Sequence, residues 1–129
     1  MRFVRPNPAE LAQVMGNKGQ HKHVLAIIED AGRDEAIVAV ARALAAAGIA
    51  FRVDDKAQRL GSAAPCHFVF EREMEIAGRK PGVFLRPMPG RSQDFVLLVF
   101  FTVAPEVLSF WRRRLLPVLL PAEPWGAAR

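Results

Sequence analysis

The run Val24-Leu25-Ala26-Ile27-Ile28 is apolar without interruption. A segment of this length with no polar alternation suits a strand covered on both faces of a sheet. Glu29, Asp30 and Gly32 follow too closely for the run to be a buried helix. From Asp34 to Ala47 the period changes. Ile37, Val40, Ala41, Leu44 and Ala47 recur at helical spacing, with Glu35 and Arg42 on the opposite side. Asp34 is expected to cap the start of this helix and Glu35 to sit at the positive end of its dipole. Gly48 is expected to stop it in a left-handed conformation, with Ile49 packing back on the last turn. Ile49, Phe51 and Val53 then alternate with Ala50 and Arg52, the pattern of a half-buried strand. Two strands joined through a helix predict a parallel pair with a right-handed crossover.

The flanks extend this unit. Asn7, Pro8 and Glu10 supply an N-cap, a first helical residue and the acid of a capping box. Leu11, Val14 and Met15 give that short helix its apolar stripe, and Gly16 ends it. Beyond the unit, Cys66 to Glu73 reads as a strand with Phe68 and Phe70 toward the core. Gly78 to Gly82 reverses the chain, and Val83 to Arg86 returns as a strand. Pro87 fits only an edge or a strand end. Gly90 to Asp94 reverses the chain again, and Phe95 to Val103, the most apolar segment, belongs inside the sheet. Pro105 and Glu106 open a last helix whose apolar face is Leu108, Trp111 and Leu115, flanked by Val107. Arg112, Arg113 and Arg114 fall where the carbonyl end of the dipole favours them, and Pro117 is expected to stop the helix. The predicted fold is α+β (mixed α/β): one domain over 1–120 with a mixed sheet of about five strands. It combines a βαβ unit, an antiparallel meander, and N- and C-terminal helices. Residues 121–129 are expected to form an irregular tail that Trp125 can anchor.

Composition narrows the class. About half of the 129 residues are apolar, which argues against a disordered chain. The single cysteine, Cys66, excludes an intramolecular disulfide and fits a reducing compartment. Met1-Arg2-Phe3-Val4-Arg5-Pro6 has no apolar signal core, and the run from Phe95 to Pro105 is well short of the roughly 20 residues that span a bilayer. A cytoplasmic protein without a transmembrane segment is expected. The net charge of +5 rests on an excess of arginine, and it fits either an anionic partner or a merely arginine-rich composition.

Three groups of residues have the chemistry for a site. Glu29 and Asp30 end one strand of the βαβ unit, and Asp54 and Asp55 end the other. Asp30, Asp54 and Asp55 together could hold a divalent cation through oxygen ligands if the two strands were neighbours. Ile28-Glu29-Asp30, a helix and Ala47-Gly48-Ile49 resemble the opening of response-regulator receiver domains. The strand that should end in an acceptor aspartate ends in Glu71-Arg72-Glu73 instead, and no lysine follows Lys80. Ala47 to Asp55, continuing to Leu60-Gly61, is similar to anticodon-binding domains of class II aminoacyl-tRNA synthetases over less than a third of the chain. No family is assigned from either similarity. His21, His23, Cys66 and His67 form a second group, with zinc-ligating types but no paired-cysteine spacing. The third group is the last helix, where Phe110 stands between Arg113 and Arg114. Aromatic and arginine side chains together mark protein hot spots and single-strand stacking surfaces.

The sequence therefore predicts a non-catalytic protein-interaction or adaptor module, needing no cofactor, with another protein as partner. Its binding residues are Phe110, Arg112, Arg113 and Arg114, with Lys18 and Lys22 from the basic loop before the first strand. Binding of RNA or DNA through the same arginines and lysines is the alternative, and a small divalent-metal enzyme built on the strand-end acids is a third reading.

Overall fold

The computed structural model describes residues 1–15, 22–55, 65–70, 82–100 and 105–120. Its strands are β1 (Arg2–Val4), β2 (Lys22–Glu29), β3 (Phe51–Asp55), β4 (Cys66–Phe70), β5 (Gly82–Pro87) and β6 (Phe95–Phe100). Its helices are α1 (Pro8–Met15), α2 (Arg33–Ala46), α3 (Pro105–Arg114) and α4 (Leu116–Leu119). The strands make one six-stranded sheet in the order β1-β2-β6-β5-β4-β3, and every neighbouring pair is antiparallel.

This is the expected α+β body, with six strands where about five were predicted. The added strand, β1, pairs Phe3 with Ile28 in register. β2 and β3 do run in the same direction, as a crossover through α2 requires. They are not neighbours, however. β6, β5 and β4 lie between them, so the meander fills the βαβ unit instead of extending it. The most apolar strand, β6, takes an interior place, as its composition demands.

The sheet is covered on both sides. The larger core joins Leu25, Ala26, Ile28, Phe68, Leu85 and Leu97 to Val40 and Leu44 of α2, Trp111 of α3 and Leu119 of α4. A smaller cluster on the other face joins Val24, Ile27, Met88, Val96 and Leu98, with Leu11 of α1 packed against it. β2 feeds both cores through a bulge between Val24 and Ala26. The extra residue puts Leu25 and Ala26 on the same side, so an unbroken apolar run is what this strand needs.

Local signals explain the helix ends. The Glu10 amide donates to Asn7 Oδ1 at 2.9 Å, and the Asn7 amide donates to Glu10 Oε2 at 3.3 Å, which is the predicted capping box. α2 starts one residue before Asp34. Its N-cap is Gly32, without a side-chain cap bond, and Asp34 and Glu35 lie in the first turn. The fully buried stripe of α2 is Ala36, Val40, Ala43 and Leu44, rotated slightly from the predicted one; Ile37, Ala41 and Ala47 pack at its border. At its other end Gly48 has φ +74°, the Gly48 amide donates to the Ala45 carbonyl and the Ile49 amide to the Leu44 carbonyl, both at 3.0 Å. That is the expected left-handed stop in its Schellman form. Pro117 does not end the structure but lies in the first turn of α4, which follows α3 after a turn at Leu115. The predicted tail 121–129, Trp125 included, lies outside the described residues, as do Gly16 and 71–81. No helix among the described residues is long and apolar enough to cross a membrane.

Candidate functional site

α3 is anchored by Val107, Trp111 and Leu115, all at most 1 % exposed. Seating that stripe on the sheet fixes which residues face outward. Glu106, Ser109, Phe110 and Arg113 follow one another at helical i, i+3, i+4 and i+7 spacing and share a face. With Pro105 they line a shallow hollow of about 380 Å³.

The predicted residues of this helix take three different roles. Phe110 is half-buried at the border of the main core, edge-on to Trp111 with ring centroids 5.1 Å apart. Arg114 is turned inward along the surface. Its guanidinium carbon lies 5.7 Å from the centre of the Phe110 ring, and its Nη2 donates to the Ala47 carbonyl at 3.3 Å. It thereby serves the C-terminal end of α2. Arg112 and Arg113 are exposed and make no ion pair among the described residues. Arg113 therefore lines the hollow together with Phe110 and the acid Glu106, while Arg112 is no part of that lining and acts on His23. Lys22 opens β2, paired in register with Phe100, while Lys18 lies outside the described residues.

Close to this surface, His23 lies at the start of β2, opposite Val99. Burial, and then the neighbouring charge of Arg112, pull its pKa below the ordinary histidine value.

The other two groups do not assemble. β2 and β3 are four strand spacings apart, about 19 Å at the usual inter-strand distance. Asp30 therefore cannot share an ion with Asp54 and Asp55. Asp30 has φ +57° and its amide donates to Asp94 Oδ1 at 3.0 Å, while Glu29 accepts from Arg2 at 2.9 Å. These are the contacts of a strand end. The zinc set fails for the same reason. β2 and β4 are separated by β6 and β5, His21 lies outside the described residues, and Cys66 and His67 point to opposite faces. Among the described residues no three His, Cys, Asp or Glu side chains are placed to hold a metal.

Two arrangements carried no sequence signal. Arg33 pairs with Asp55, which lies across from the buried Cys66. Burial first, then Asp55, pushes the Cys66 thiol up to about 11, which disfavours the reactive thiolate. Arg91 bridges Glu10 at 3.1 Å and Asp94 at 3.4 Å, tying α1 to the β5–β6 turn. Arg33–Asp55 and Arg91–Glu10 link residues far apart in sequence, and only the folded chain brings them together. Comparison with known protein families, curated proteins and solved structures finds no match to this chain.

Proposed function

We propose that this protein is a non-catalytic, cytoplasmic interaction module that binds an acidic segment of another protein across the outer face of α3. The carrying observation is the pair Arg112 and Arg113, exposed and without ion pairs among the described residues, with Arg113 lining the hollow beside Phe110. Two exposed guanidinium groups can take carboxylates in bidentate geometry. The half-buried aromatic ring offers apolar area at little entropic cost, because the core already holds it. The partner chemistry that fits is an acidic stretch carrying one apolar anchor.

The test is affinity capture from the source cell, followed by direct titration of each captured protein. It compares the wild type, Arg112→Glu/Arg113→Glu and a control, Arg52→Glu on β3. The reading expects partners that survive Arg52→Glu and weaken about tenfold or more with the double reversal. An identical set of partners for all three proteins overturns it. Polyuridylate serves as a parallel probe: tight binding that collapses between low and moderate salt would make nucleic acid the ligand of this face.

A further inference from the structure

Val38 and Met1 are 47 % and 46 % exposed, the two most exposed large apolar side chains among the described residues. They line the same hollow. It measures about 620 Å³ and runs between β1, the outer side of α2 and α4, with Phe3, Ala39, Ala46 and Val118 in its lining. β1 is an edge strand, so among the described residues its outward backbone groups face no strand.

The charges along this side of α2 are ordered. Glu35, Val38, Ala39 and Arg42 line the hollow at i, i+3, i+4 and i+7 spacing, one face of the helix. The order is acid, apolar, small, base, and its centre falls midway between Val38 and Ala39. A two-fold axis at that centre sets the helix antiparallel to its own copy. Each Glu35 then meets the Arg42 of the second copy, and each Val38 meets the small Ala39. The same kind of axis, perpendicular to the sheet, brings the two β1 edges together antiparallel, with Phe3 near the Phe3 of the other copy.

We propose that the β1–α2 edge is a self-association surface, and that two copies pair across it about a two-fold axis into one continuous sheet. A second copy fits better than a foreign segment because the groove carries both signs of charge. A uniformly acidic peptide meets Glu35 and Asp34, and a uniformly basic one meets Arg42. The protein's own face, turned by half a rotation, satisfies each with its opposite, as an isologous interface requires. Ala39 and Ala46 leave room for close approach of the helices.

Sedimentation equilibrium over a wide concentration range tests this on the full chain. The wild type is expected to move from monomer to dimer mass as concentration rises. Glu35→Arg alone places two positive charges in each contact and Arg42→Glu alone two negative ones, so each is expected to weaken the dimer at least about tenfold. Both positions are exposed, and an unchanged melting temperature checks that the variants fold. Mixing Glu35→Arg with Arg42→Glu restores opposite charges in both contacts, so the mixture is expected to dimerise although neither variant does alone. A wild type that stays monomeric throughout overturns the proposal. So does a dimer indifferent to both reversals, or a mixture that fails to pair.

Discussion

Cys66 is fully buried, one strand in from the edge, and its register partner is Asp55. Burial and that carboxylate move its pKa from an ordinary 9.0 to about 11. The consequence for stability has a definite sign. An unfolded chain gives up the thiol proton near pH 9, while the folded one holds it to about pH 11. The stability tied to this proton is therefore fully present below pH 9 and is lost as pH rises through that interval. The loss is on the order of 2 kcal/mol. The chain has no tyrosine, which keeps the interval comparatively clear of other titrations. Urea unfolding at about pH 8 and about pH 10.5 measures it. The wild type should lose more stability between the two than Cys66→Ala does, whatever the absolute stability of the variant. Equal losses would mean that the thiol proton contributes nothing.

At the level of elements, legibility followed the range of the interaction. Asn7 and Glu10 are three residues apart, and Gly48 acts within one helical turn, so capping box and helix stop could be read directly. The start of α2 is blurred in the sequence because Asp34 has capping chemistry, yet the helix begins at Arg33 after Gly32. β1 is illegible in the sequence because three residues cannot display a period. The order of strands was hidden for a different reason. Nothing within β2, α2 and β3 says that a later meander will separate the two strands, and every reading of the acids as one site depended on that. Where two strands meet, the pairing creates new constraints. A Cβ added to Gly82 on β5 would lie 2.5 Å from His67 Nε2 on β4, and His67 is stacked on Phe84 with ring centroids 4.0 Å apart. Gly82→Ala should therefore destabilise by roughly 1–3 kcal/mol through overpacking. In a His67→Ala background most of that cost should disappear, since the two residues share one contact. Denaturant titration of the four proteins measures the coupling, and an unchanged cost would place its origin elsewhere.

The whole molecule is a sheet with a well-covered middle and two different edges. β2, β6, β5 and β4 have neighbours on both sides, and the first two are buried on both faces. β3 closes one edge with Phe51 packed on the core and Val53 43 % exposed, and β1 closes the other with three residues. Opening free energies follow burial and pairing. Amide hydrogen exchange should accordingly be slowest in β2 and β6 and fast in β1 and β3 when the protein is dilute. The two edges then separate on concentration. Pairing of β1 with its own copy would protect the backbone groups that face outward in the monomer, so exchange there should slow as protein is added while β3 stays unchanged. Glu35→Arg should abolish that difference, although the substitution lies on α2 and not on β1. Association also presents α3 twice on one particle. A partner with two acidic segments would then bind more tightly than one with a single segment, by an effective-concentration gain that Glu35→Arg removes while leaving single-site affinity intact. Exchange in β1 that ignores concentration would count against self-pairing at that edge without touching the role of Arg112 and Arg113. The two surfaces can therefore fail separately.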